Sequence, residues 1–202
     1  MTDSNTAALA PVWRDVLATS YAALTDVVAG IGDDQWQLPT PCSEWTVTQV
    51  IQHAAGDQLA YAAALGIGAG PASDPFAPSG TLDGAAADLV RAAVDETATA
   101  WATVTDDTET VPTPLPHGAL PTPVAAVMCA LDAAVHAWDI AVATGQPNPL
   151  DDELAGHLLA AAQGLVEPLR QWGAYADIVQ TGDSATPVVD ELLGYLGRDP
   201  RS

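Results

Sequence analysis

Between Pro123 and Thr144 the sequence is almost wholly apolar, with Val124, Val127, Met128, Leu131, Val135, Trp138, Ile140 and Val142 set among alanines. Three residues able to do chemistry interrupt this run: Asp132, His136 and Asp139. At ~100° per helical residue, positions 132 and 136 lie ~40° apart and positions 132 and 139 ~20° apart. All three share one stripe of a helix whose all-round apolar character predicts burial. A buried carboxylate with no compensation costs several kcal/mol or takes up a proton. A divalent cation compensates it directly, and a carboxylate and an imidazole at i and i+4 can reach the same ion. His53 is the candidate third ligand. It follows Val50 and Ile51 on a separate helix, and bundles place metal ligands on facing helices. Two histidines and one carboxylate leave coordination positions open, the pattern of a reactive site rather than a closed structural one.

Plainer readings stand beside this one. Asp132 with His136 also fits an i,i+4 ion pair, and a lone buried histidine is most often a hydrogen-bonded core residue. Asp57, one turn after His53, is a rival ligand. Asp139 suits an acceptor behind the ligands that orients a histidine or satisfies backbone. His117, in a proline-rich loop, and His157, ahead of an apolar run, are read as non-ligands.

The elements that must position these groups are helices. A first helix is expected from Pro11 to about Ile31, with a loop over 32–45 that contains Pro39 and Pro41. Thr46 followed by Gln49 is a capping box, so a second helix starts there and runs to about Leu65, where Gly66, Gly68 and Gly70 stop it. A Gly-, Pro- and Ser-rich loop over 66–82 is expected to cross one end of the bundle. A third helix follows over about 83–104, then an irregular or short extended connection with four prolines over 105–122. Thr122 and Pro123 open the fourth helix, and Gly145 closes it as a left-handed cap. A fifth helix is expected over 151–172, then an irregular tail with a short helix near 188–196.

Bulk properties limit the functions open to this chain. Hydrophobic residues make up 49% of 202 residues, enough for a full core, and the abundant alanine with few aromatics favours helix over sheet. The net charge is -21, from five arginines, no lysine and 26 acidic residues. Nucleic-acid binding and adhesion to an anionic membrane lack electrostatic support. A multiply anionic substrate needs an arginine or a metal in the pocket. Cys42 and Cys129 make no disulfide framework, and Cys129 reads as a small buried hydrophobe. No secretory leader and no membrane span are expected, so the expectation is a cytoplasmic protein, monomer or homodimer.

The strings PTPCSEWTVTQVIQHAAG (39–56) and DAAVHAWDIAVATGQ (132–146) resemble the two signature regions of a DinB-like superfamily branch. That branch includes the mycothiol-dependent maleylpyruvate isomerases and many uncharacterised actinobacterial metal-binding proteins. The ending LLGYLGRDP (192–200) is similar to the uncharacterised subgroup. The resemblance implies an all-α, DinB-like four-helix bundle, here with an extra helix and a short C-terminal tail. One domain over 1–202 is expected, with 173–202 as the tail. The resemblance also implies a divalent metal, often zinc, on His53, Asp132 and His136. The family carboxylate is usually Glu, where this chain has Asp132, and the isomerases have a larger C-terminal region that supplies a basic residue to the site.

The implied function is an enzyme using a low-molecular-weight thiol, mycothiol, for transfer or isomerisation of a small electrophilic substrate. Arg14, Arg91 or Arg170 would meet an anionic group. The alternatives are a thiol-independent small-molecule enzyme on the same scaffold, or a non-catalytic metal-binding or sensing bundle.

Overall fold

The computed structural model describes residues 3–182 and 186–201. Residues 183–185 and 202, within the expected tail, lie outside the described residues. Eight helices and one two-residue hairpin are found among the described residues: α1 (Asp3–Leu9), α2 (Trp13–Ala29), α3 (Val47–Ala64), α4 (Ala86–Ala102), β1 (Thr110–Val111), β2 (Leu120–Pro121), α5 (Thr122–Thr144), α6 (Asp152–Ala162), α7 (Val166–Arg170) and α8 (Val188–Tyr195).

Helices α2, α5, α3 and α4 pack in a closed ring, each touching the next and α4 returning to α2. This is the expected four-helix bundle. The pattern on α2 shows how the sequence builds it: Trp13, Val16, Leu17, Ser20, Tyr21, Leu24, Val27 and Val28 are buried at intervals of three and four, one helix face turned to the core.

Helix α5 obeys a different rule. It also packs against α6 and α1 outside the ring, so neighbours surround it and nearly every position from Val124 to Ala141 is buried. It is long and apolar enough to cross a membrane by length and composition, although Asp132 and Asp139 interrupt the apolar run, and it is almost wholly buried inside the protein. Its end is a left-handed Gly145, φ 71°, a conformation costly for any residue with a Cβ.

Other boundaries shift for local reasons. The first helix is split, with α1 preceding the expected start and Pro11 lying between α1 and α2. The expected fifth helix is broken into α6 and α7 at Gly164, which sits at φ +84°. The proline-rich connection forms the antiparallel β1–β2 hairpin, pairing Thr110 with Pro121 and Val111 with Leu120.

Two loops are fastened to the start of α3. The first supplies backbone acceptors for the otherwise unpaired amides of that helix end: Val47 N–H donates to Leu38 O and Thr48 N–H to Trp36 O, both at 3.0 Å. The capping box is present, with Gln49 Oε1 accepting from Thr46 N–H at 3.0 Å. The second loop, 66–82, is held by Gln52, whose Nε2 donates to Thr81 O at 2.7 Å and whose Oε1 accepts from Gly80 N–H at 2.8 Å. Gly56 lets it approach, since a Cβ there would lie 3.0 Å from the Pro75 ring.

Leu131 on α5 is 1% exposed, at the centre of this packing. Leu131→Ala is expected to lower the unfolding free energy by about 2–5 kcal/mol, measured by urea denaturation. A loss under about 1 kcal/mol would contradict the placement of α5 at the core.

Candidate metal centre

The fold brings His53 from α3 and Asp132 and His136 from α5 together. Asp132 Oδ1 lies 3.3 Å from His53 Nε2 and 3.4 Å from His136 Nε2. The potential ligand atoms of the three residues all lie within 4.8 Å of one another. Both imidazoles are buried, with side-chain exposures of 7% and 8%.

The second ring nitrogens decide what these histidines offer. His53 Nδ1 lies 3.0 Å from Pro75 O, and His136 Nδ1 lies 2.9 Å from Asp139 Oδ2. Both partners only accept, so each Nδ1 carries the hydrogen. In the neutral ring, Nε2 is then a free lone pair aimed at the cluster, the usual state of a metal-binding histidine. The spacing fits as well. Two donors on one tetrahedral zinc, with bonds of ~2.1 Å, lie roughly 3.4 Å apart. Asp132 Oδ2 is buried with no hydrogen-bond partner, a further lone pair left for a cation. Although shorter than the family's Glu, Asp132 reaches both imidazoles.

Asp139 is fully buried and held from the other side by Arg198, whose Nη2 donates to Oδ2 at 2.8 Å and whose Nε donates to Oδ1 at 3.1 Å. Arg198 was not among the arginines expected near the site. It comes from the C-terminal turn after α8, where Gly197 adopts φ +85° and a Cβ would meet Ala176 at 2.8 Å. Its only sequence signal is the terminal string that resembles the uncharacterised subgroup.

Arg14, Arg91 and Arg170 are tied up by other groups. Arg14 pairs with Asp106 at 2.9 Å, Arg91 with Asp88 at 3.1 Å, and Arg170 with Glu167 at 3.4 Å and the carbonyls of Ala176 and Tyr195. Asp57 lies near enough to interact with Asp132 and His136 but does not join their converging ligand atoms; His117 and His157 also stay apart from them.

Charge organises the pocket. Burial alone would lower the pKa of His136, but the carboxylate of Asp132, helped by Asp139, raises it to about 9. Burial would raise Asp132, but the charged His136 beside it holds it well below the usual carboxylate range. Burial would also raise Asp139, and Arg198 followed by His136 keeps it low. Asp57 is pushed up, first by burial and then by Asp132. Burial and the Asp139 charge push the Cys42 thiol up to about 11, and burial and Asp132 raise the Tyr175 phenol. Aromatic rings complete the wall: Trp45 lies 4.5 Å from the His53 ring and 6.4 Å from His136, and Phe76 lies 5.3 Å from His53.

Residues 17–141 match the mycothiol maleylpyruvate isomerase N-terminal domain family. The chain belongs to that family. Two uncharacterised proteins of Mycobacterium tuberculosis, from strains CDC 1551 / Oshkosh and H37Rv, are each 35% identical over 185 residues, covering 90% of this chain and 93% of theirs. The crystal structure of a histidine-to-alanine mutant of the mycothiol-dependent maleylpyruvate isomerase is similar in fold, with TM-score 0.61 and 16% identity over 84% of this chain and 75% of that one. His53, Asp132 and His136 thus form a possible metal site in a family member, with Arg198 contributed from beyond the matched region.

Two outcomes follow from this geometry. His136, raised to about 9, stabilises the metal-free fold fully below about pH 6.5, its unfolded value, and loses that contribution as pH rises through 9. Metal needs the neutral ring, so binding at pH 7 is expected to release about one proton, read by calorimetry in buffers of different ionisation enthalpy. A buffer-independent heat would contradict this assignment. Asp139→Asn leaves Arg198 buried with its charge uncompensated and is expected to cost about 3–5 kcal/mol, with part regained in the Asp139→Asn/Arg198→Met double variant. A single variant as stable as wild type in urea would refute the clamp.

Proposed function

We propose that this chain is a metal-dependent enzyme that uses a low-molecular-weight thiol, mycothiol, for transfer to or isomerisation of a small electrophile. The observation that carries the reading is the pair of Nε2 lone pairs fixed on the Asp132 carboxylate, a three-ligand set that leaves room for one more donor. A bound divalent ion, zinc by the nature of the ligands, supplies a positive charge that favours a thiolate over a thiol near neutral pH.

The chain's own residues supply the rest. Pro75 O and Asp139 hold the two Nδ1–H groups, so both rings present the correct nitrogen. Arg198 keeps Asp139 ionised and fixed. Trp45 and Phe76 cover the His53 side and limit water at the sulfur. The thiolate sulfur bonds to an electrophilic carbon as a leaving group departs with its bonding pair, or adds to an activated double bond whose π pair moves onto the conjugated carbonyl and, after rotation about the resulting single bond, returns to expel the thiolate.

Mycothiol added to the cobalt-loaded protein is expected to produce a sulfur-to-cobalt charge-transfer band and to raise the melting temperature. At about 100 times its dissociation constant the stabilisation is about 2.7 kcal/mol. A protein that holds cobalt but shows neither change with mycothiol would reject thiol use and leave a thiol-independent reaction.

A further inference from the structure

The charges around the centre bear on which electrophile it can admit. The chain has five arginines and no lysine, and every arginine is already paired. Arg14, Arg91, Arg170 and Arg201 are bound to Asp106, Asp88, Glu167 and Asp199. Arg198, the cation built into the centre, spends two of its donor groups on Asp139 and a third on Leu196 O. A divalent ion brings two positive charges. Asp132 and Asp139 cancel both, Arg198 restores one, and a bound thiolate removes it. The thiolate-bound centre is therefore neutral, inside a protein of net charge -21.

A carboxylate substrate entering such a site leaves its hydration without gaining a cation, which is unfavourable for any buried charge. What the site offers instead is aromatic surface. Phe76 is 62% exposed, one of the few large apolar side chains left open to solvent, and its ring lies edge-on to His53 at 5.3 Å. Trp45 lies against the same imidazole at 4.5 Å. An exposed aromatic beside a metal-site histidine suits a flat, uncharged group.

We propose that this centre selects an uncharged electrophile, with Phe76 and Trp45 as the specificity wall, and discriminates against carboxylate dianions. The proposal rests on the metal-centre reading and narrows its substrate class. It sets this chain apart from an enzyme acting on maleylpyruvate, a dicarboxylate.

The test compares maleate, a dianion, with maleamide, its uncharged diamide on the same carbon skeleton. Each is titrated into the full-length cobalt-loaded protein, with and without mycothiol, and binding is read from cobalt-induced broadening of the vinylic proton signals. With mycothiol bound, when the centre is neutral, maleamide is expected to bind at least tenfold more tightly than maleate. Phe76→Arg, a change at an exposed position, is expected to shift that ratio at least tenfold toward maleate, whereas Phe76→Leu leaves maleate excluded. Wild-type protein that binds maleate as well as maleamide, or binds neither, would overturn the proposal, and so would a ratio unmoved by Phe76→Arg. A missing sulfur-to-cobalt band in the same samples would reject thiol use, whereas a maleate-to-maleamide ratio unmoved by Phe76→Arg in the samples without mycothiol would reject the aromatic wall itself.

Discussion

A carboxylate buried between two imidazoles is the constraint on which the rest of this structure depends. Asp132 sits on the most enclosed helix of the protein, with Oδ1 shared by His53 and His136 and Oδ2 without a partner. Such a group is tolerated only if charge is returned to it. Without a metal, a protonated His136 does this; a divalent ion held by the three residues would supply the charge instead, and the imidazole would then be neutral. The neighbouring groups hold both imidazoles in place. Asp139 and Arg198 fix His136 from behind, and Pro75 fixes His53.

The bundle serves this arrangement by making three separate pieces of chain rigid at one place. Helix α5 carries the carboxylate and one histidine in register, as i and i+4. Helix α3 brings the second histidine, and its start is fastened by two loops through backbone amides, Gln49 and Gln52. The C-terminal turn brings the guanidinium. Gly56 and Gly197 are small for the same reason, because a Cβ at either position would push a neighbouring segment away from the site.

Much of this was legible in the sequence because it follows from local rules. Helical periodicity placed Asp132, His136 and Asp139 on one stripe, and the capping box at Thr46 fixed the frame of the helix bearing His53. The resemblance selected the same three ligands. What the sequence hid depends on contacts between distant segments. Arg198 lies 59 residues from Asp139, and no periodicity links a C-terminal turn to a core helix. Arg14, Arg91 and Arg170 were equally plausible by composition, and only folding shows that other groups hold them. The break between α6 and α7 was missed because a glycine within an apolar pattern does not reveal its φ. Trp45 and Phe76 lie in loops, where sequence spacing says nothing about which side chain they will face.

The claim beneath the account is that His53, Asp132 and His136 hold one divalent ion. Metal content of freshly purified protein, measured by plasma mass spectrometry for wild type, His53→Ala and His136→Ala, tests it most directly. Close to one equivalent of a divalent metal is expected in wild type, and most of it is expected to be lost in each variant with the helical circular dichroism retained. Wild-type stoichiometry surviving in both folded variants would contradict it.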